Sequence, residues 1–230
     1  MRYLTMARSV ATLAIFAALA GCDDDPVSPE GEHAIRINAV TTGTAFEGDA
    51  SQGVTSVEAE RVVLVLGMVK LETAGVDETV DFVDERSVVV PLDLDGDAVL
   101  AFDADAPAGT YKELELSIDK LEPGNPLEAA LIAAHPDLEN ASVMVEGTVT
   151  RDGVQEAFSI AYDADIDLEL DLAPPLVIAP DGDRVTTFSL VIDLSGWFVG
   201  DSGALLDPTL SDNRSAIMAN IEQSIDVLED

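Results

Sequence analysis

The chain has 230 residues, 47% of them hydrophobic, and its 45 Asp plus Glu against 11 Lys plus Arg give a formal net charge of −34. A field that negative repels phosphate backbones and anionic headgroups, which excludes nucleic acid as a partner. A single cysteine excludes a disulfide framework and a multi-cysteine metal site, while the length suffices for one large domain with its own core.

The chain opens with Arg2 and Arg8 around a short basic start, and an uninterrupted apolar run, VATLAIFAALA, follows over residues 10–20. That order of charged and greasy regions is a secretory signal, and the run falls short of the roughly 17 to 25 residues a membrane span needs. Leu19-Ala20-Gly21-Cys22 closes it. This stretch resembles the bacterial lipoprotein signal box, which implies cleavage before Cys22, a diacylglyceryl group on its thiol and an acylated amino group. Attachment by several acyl chains is stable where one chain holds only marginally. The expected organisation is a signal peptide over residues 1–21, an acidic tether over 22–32 and a single domain over 33–230. The tether, with Pro26 and Pro29 among acids, is flexible in composition and reaches about 35 Å at 3.3 to 3.6 Å per residue. Asp23 follows the cysteine; in some enteric bacteria an aspartate there retains a lipoprotein in the inner membrane, but the rule varies between lineages, so either membrane stays open.

Beyond the tether the apolar period is mostly two, which signals strands. His33 to Val40 alternates Ile35, Ile37 and Ala39 against Ala34, Arg36 and Asn38, and residues 41–52 read as a loop. Val57 to Leu71 predicts a long strand apolar on both faces, hence buried in the middle of a sandwich. Ser87 to Leu94 and Ala98 to Phe102 flank Asp95-Gly96-Asp97, the pattern of a hairpin. Tyr111 to Leu121 turns Leu114, Leu116 and Ile118 inward and Glu113, Glu115, Ser117 and Asp119 outward. Pro126 to Asn140 predicts a short helix ended by Pro136. Residues 141–150 and 154–162 flank Arg151-Asp152-Gly153, a second hairpin turn. Arg184 to Leu194 predicts a strand. Ile217, Met218, Ile221, Ile225 and Leu228 share one side of a helix expected over Ser211 to Leu228. Together these elements predict a mainly β fold, an antiparallel β-sandwich with a short internal helix and a C-terminal helix.

Two acidic stretches are candidate calcium sites, hard oxygens suiting a hard cation. In YDADIDLELDL, residues 162–172, the odd positions Asp163, Asp165, Asp167, Glu169 and Asp171 are all acidic. On one strand they would share a face with next neighbours about 7 Å apart, a cation-binding or docking face, or else the solvated face of a charged edge strand. Asp93, Asp95 and Asp97 have the alternate spacing of a calcium loop, but such a loop wants glycine sixth and glutamate twelfth, whereas here Gly96 is fourth and Ala104 is twelfth, and a plain turn fits better. The acidity as a whole is open to three readings: a solubilising surface for high salt, calcium binding, or compositional bias. The scarcity of lysine, limited to Lys70, Lys112 and Lys120, favours the first.

Catalytic motifs are missing: no nucleophile elbow, zinc-protease helix, P-loop or dinucleotide fingerprint occurs, and His33 and His135 are the sole histidines. The expectation is therefore no enzyme. Tyr111, Tyr162 and Trp197 are the aromatics a sugar-binding sandwich would use, although Trp197 after a core strand is expected to plug the sandwich end.

APAGTYKELELSIDKLEPG over residues 106–124, DLSGWF over 193–198, LLDPTLSDN over 205–213 and IMANIEQSIDVLED over 217–230 resemble segments recurring in uncharacterised lipoproteins of Gram-negative bacteria. The resemblance implies a cell-envelope lipoprotein with a β-sandwich domain and transfers no catalytic residue. The resulting expectation is a lipid-anchored envelope protein presenting an acidic sandwich as a binding or structural module. Its partners are the membrane through Cys22 and an envelope protein or glycan. The alternatives are a calcium-dependent carbohydrate-binding or adhesion domain and an envelope hydrolase.

Overall fold

A computed structural model describes residues 33–230, apart from 44, 45, 47, 52, 76–79 and 180–183. Cys22, the signal and the tether lie outside the described residues. Eleven strands and two α-helices follow in the order β1 (His33–Thr42), β2 (Val54–Thr73), β3 (Phe82–Asp84), β4 (Val88–Pro91), β5 (Val99–Ala106), β6 (Gly109–Ile118), α1 (Ala129–Ala134), β7 (Val143–Arg151), β8 (Val154–Tyr162), β9 (Ile166–Ile178), β10 (Val185–Asp193), α2 (Arg214–Glu222) and β11 (Ile225–Glu229). They form two sheets packed as a sandwich. One has four strands in the order β11-β10-β1-β5; the other has seven, with β8-β7-β2-β6-β9 as its path and β3 and β4 also paired with β2. No helix among the described residues is long and apolar enough to cross a membrane.

Alternation places the core as expected. Ile35, Ile37 and Ala39 of β1, Leu114, Leu116 and Ile118 of β6, and Phe188, Leu190 and Ile192 of β10 are all buried between the sheets. Burying side chains of this size stabilises by about 1.5 to 3 kcal/mol each. On β2, Val62, Leu64 and Leu66 join this core, whereas Val63 and Val65 enter a second cluster with Leu121, Leu138 and Met144. Leu131 and Ile132 of α1 pack against that cluster. The second apolar face of β2 is thus explained by a small helical cap on the outside of the sheet rather than by the opposing sheet.

Three expectations are corrected. The turn around Gly96 joins no hairpin: β4 pairs with β2 while β5 pairs with β1, so the chain changes sheets there. The predicted C-terminal helix ends at Glu222, and Ile225–Glu229 instead pairs antiparallel with β10. Ile-Asp-Val-Leu-Glu satisfies a period of two as well as a helical one, and the open edge of β10 decides for the strand, burying Ile225 and Val227. Residues 162–172 do not form one strand, because β8 stops at Tyr162 and β9 starts at Ile166. The antiparallel sandwich with its short internal helix and a C-terminal helix is otherwise as expected; among the described strands β1 and β10 alone pair in parallel, over Ala34 to Thr42, joined through the long intervening chain.

Candidate functional site

The connections at one end of the seven-stranded sheet enclose a recess of about 440 Å³. Glu85 and Ser87 come from the β3–β4 link, Asp119, Lys120 and Glu122 from the segment after β6, Glu128 from just before α1, and Asp163 and Asp165 from the β8–β9 link. Gly67 of β2 forms the floor beside a register shift between Leu66 and Met68. A Cβ there would sit 2.8 Å from the Asp119 Cβ, so a glycine is what lets Asp119 close over the strand.

Glu128 is the anchor of the recess. It is buried, and its Oε1 accepts from the Ser87 hydroxyl at 2.8 Å and the Asn125 amide at 3.0 Å, while Oε2 accepts from the Glu122 backbone N–H. Those donors offset the desolvation of its charge. Asp119 accepts from the Ser117 hydroxyl at 2.7 Å; this bond explains why Ser117, expected outside, is buried. Lys120 Nζ lies 3.1 Å from Asp163, and that hydrogen bond holds the ammonium pKa above its usual value. Glu85, Glu122 and Asp165 have no side-chain donor among the described residues. Six carboxylates therefore face one lysine, an arrangement whose net charge a cation would neutralise.

The sequence candidates separate. Asp163 and Asp165 are brought together in the recess, while Asp167 begins the outward row of β9 with Glu169 and Asp171. Asp93, Asp95 and Asp97 lie elsewhere: Asp93 Oδ1 accepts from the Asp95 N–H at 2.8 Å and the Asp97 N–H at 3.4 Å, which is the hydrogen bonding of a turn. Asp119, Glu122, Glu128 and Glu85 carry no sequence signal of a site because they sit on two connections far apart in the chain; the alternating lipoprotein-like segment around Asp119 gives no hint of convergence.

A second acidic group occupies the outer face of the same sheet, where one carboxylate oxygen each of Glu72, Glu113 and Glu115 lies within 4.8 Å of the others. Lys112 Nζ sits 2.6 Å from Glu72 and Lys70 Nζ 2.5 Å from Glu115. The bond from Lys112 outweighs desolvation and holds Glu72 low, whereas partial desolvation, then the neighbouring Glu72 charge, push Glu113 up. Two of the three acids are already matched by lysines, which makes this a cross-strand ion network.

The aromatic support for sugar binding is lost. Tyr111, Tyr162 and Trp197 are all fully buried, with Trp197 Nε1 donating to the Ser224 hydroxyl at 2.6 Å. Trp197 fills the core, as its position after a core strand suggested.

Fold and recess together define a two-sheet β-sandwich with an acidic cleft at one end. No protein-family model and no curated protein matches the chain. Among solved structures it is similar to MbnP from Methylosinus trichosporium, at 12% identity and a TM-score of 0.38 over 86% of this chain and 98% of that one. A likeness at that level bears on neither site nor activity.

Proposed function

We propose that the chain is a lipid-anchored cell-envelope module that binds through its acidic recess and performs no catalysis. The anchor rests on the Leu19-Ala20-Gly21-Cys22 box and the tether behind it. The observation that carries the binding reading is the convergence of six carboxylates on one recess against a single lysine. Among the described residues its lining includes no histidine and no thiol, the groups that serve most readily as base or nucleophile at neutral pH. A divalent cation is the ligand class that hard, multiply oriented oxygens suit best, and calcium at about 10⁻⁴ to 10⁻³ M is the affinity range of extracellular modules. An adhesion role for a calcium-loaded form would follow from cation binding, and glycan recognition has no exposed aromatic platform to support it.

Titration calorimetry with calcium and with magnesium tests this reading. A single site for calcium, lost in Asp165→Asn and in Asp119→Asn while both variants still melt cooperatively, is the expected outcome. Equal heats in wild type and both variants would sink it.

A further inference from the structure

The outer edge of β8 borders a groove of about 390 Å³ whose lining includes four consecutive residues, Ala157 to Ile160. The two-residue turn Asp152-Gly153 closes the β7–β8 hairpin on the pair Arg151 and Val154. In such a hairpin that first pair exchanges both backbone bonds, so alternate residues thereafter face the partner strand. Gln155, Ala157, Ser159 and Ala161 consequently turn their N–H and C=O groups away from β7. Two contacts agree with this parity: the Tyr162 carbonyl accepts from the Ser142 N–H beside β7, and the Ala161 carbonyl accepts from the Arg214 guanidinium on the open side. Among the described residues nothing bonds the backbone groups of Ala157 and Ser159 on that side.

The opposite wall of the groove is the segment from Pro208 to Ser211, with Arg214 at its end. Arg214 also stands over the Tyr162 ring, 5.0 Å from its centroid. In a chain of net charge −34, Arg36, Arg61, Arg86, Arg151 and all three lysines have a carboxylate within ion-pair distance. Arg214 and Arg184 have none among the described residues. A cation left without an acid in so acidic a protein, at the end of an unpaired strand edge, calls for a carboxylate from outside.

We infer that the edge of β8 takes up the C-terminal segment of a partner protein as an added strand, with its terminal carboxylate on Arg214. The unpaired edge requires an extended backbone, and four residues of strand span about 13 Å. The guanidinium occupies the carbonyl of Ala161, the next acceptor along the edge, so an added strand has to stop there. A strand that ends in a carboxylate both fits the stop and supplies the missing charge. A second copy of this chain is a poor occupant, because two surfaces this acidic repel. The inference stands independently of the acidic recess.

A library of random heptapeptides with free C-termini, passed over the immobilised full chain beside the same library amidated, provides the test. Free acids are expected to be retained at least about tenfold better than their amides. Ser159→Pro removes only an outward-facing N–H and is expected to abolish retention; Arg214→Gln is expected to erase the preference for acids. Hydrogen exchange on the wild type gives a second readout, with the Ala157 and Ser159 amides slowed by the best free acid. Overturning results are no sequence retained above the Ser159→Pro background, acids and amides retained alike, or exchange at Ala157 and Ser159 unchanged by the retained peptide. Concentration-dependent self-association that Ser159→Pro removes would equally overturn it by making the edge a self-pairing surface.

Discussion

Asp207 shows how a single acid is accommodated inside this acidic chain. The residue is 2% exposed, and its carboxylate accepts from the Thr209 N–H at 2.9 Å, the Thr209 hydroxyl at 2.6 Å and Arg151 Nε at 2.8 Å. Burial alone would raise its pKa, but the bonds from Thr209 and then from Arg151 outweigh it and hold the carboxyl below the ordinary range. A depressed folded-state pKa means stability that is present above the unfolded value near 4 and lost as pH falls toward the folded value. Asp207→Asn should therefore cost about 2 to 4 kcal/mol at pH 7, since Arg151 keeps the Thr209 hydroxyl at 2.9 Å but, among acids of the described residues, only Glu156 at 3.6 Å. Urea unfolding at pH 7 and at pH 3 checks this: the gap to wild type should narrow at the lower pH, and an equal gap at both would contradict the assignment. Nothing in LLDPTLSDN marks Asp207 as buried, because its partner Arg151 is 56 residues away. Asp163 and Asp165, by contrast, were legible as part of an acidic run, and only their convergence with Asp119 and Glu128 was hidden.

Among elements, local signals decided local structure and failed where a distant partner chose between options. Alternation gave the inward faces of β1, β6 and β10, and Asp152-Gly153 gave the β7–β8 hairpin, since both are set within a few residues. The turn at Gly96 looked like the same kind of signal. It carries the chain to the other sheet because β2 and β1 take β4 and β5 respectively, which neighbouring residues do not encode. The C-terminal strand escapes the sequence for a related reason, as its period fits both states until β10 offers an edge. Gly147 is the tightest join between elements: a Cβ on it would lie 2.0 Å from the Glu58 carbonyl oxygen and 3.0 Å from the Ala59 Cα. Both atoms are backbone of β2 next to a register shift between Ala59 and Arg61, so neither can swing aside. Gly147→Ala should cost about 3 kcal/mol, the upper end for overpacking, measured as a lower urea midpoint; an unchanged midpoint would mean that β2 and β7 separate without penalty.

The whole molecule distributes its charge unevenly. The outer face over Glu72, Glu113 and Glu115 is interleaved with lysines, and the edge of β8 carries an unmatched arginine. The recess gathers acids that its own lysine does not balance. Two accounts of that excess differ in what they predict. A solvated, salt-adapted surface is relieved by any cation in proportion to screening, whereas a site adds stability as RT ln(1 + [L]/Kd) for the ion that fits it. The most direct measurement is thermal melting of the protein at fixed ionic strength, with calcium exchanged for sodium. Calcium at ten times its Kd should add about 1.4 kcal/mol, raising Tm by roughly 3 to 5 °C for a domain of this size, with the rise absent in Asp165→Asn. The same Tm in sodium and calcium at equal ionic strength would contradict the binding account and leave the recess as solvated surface.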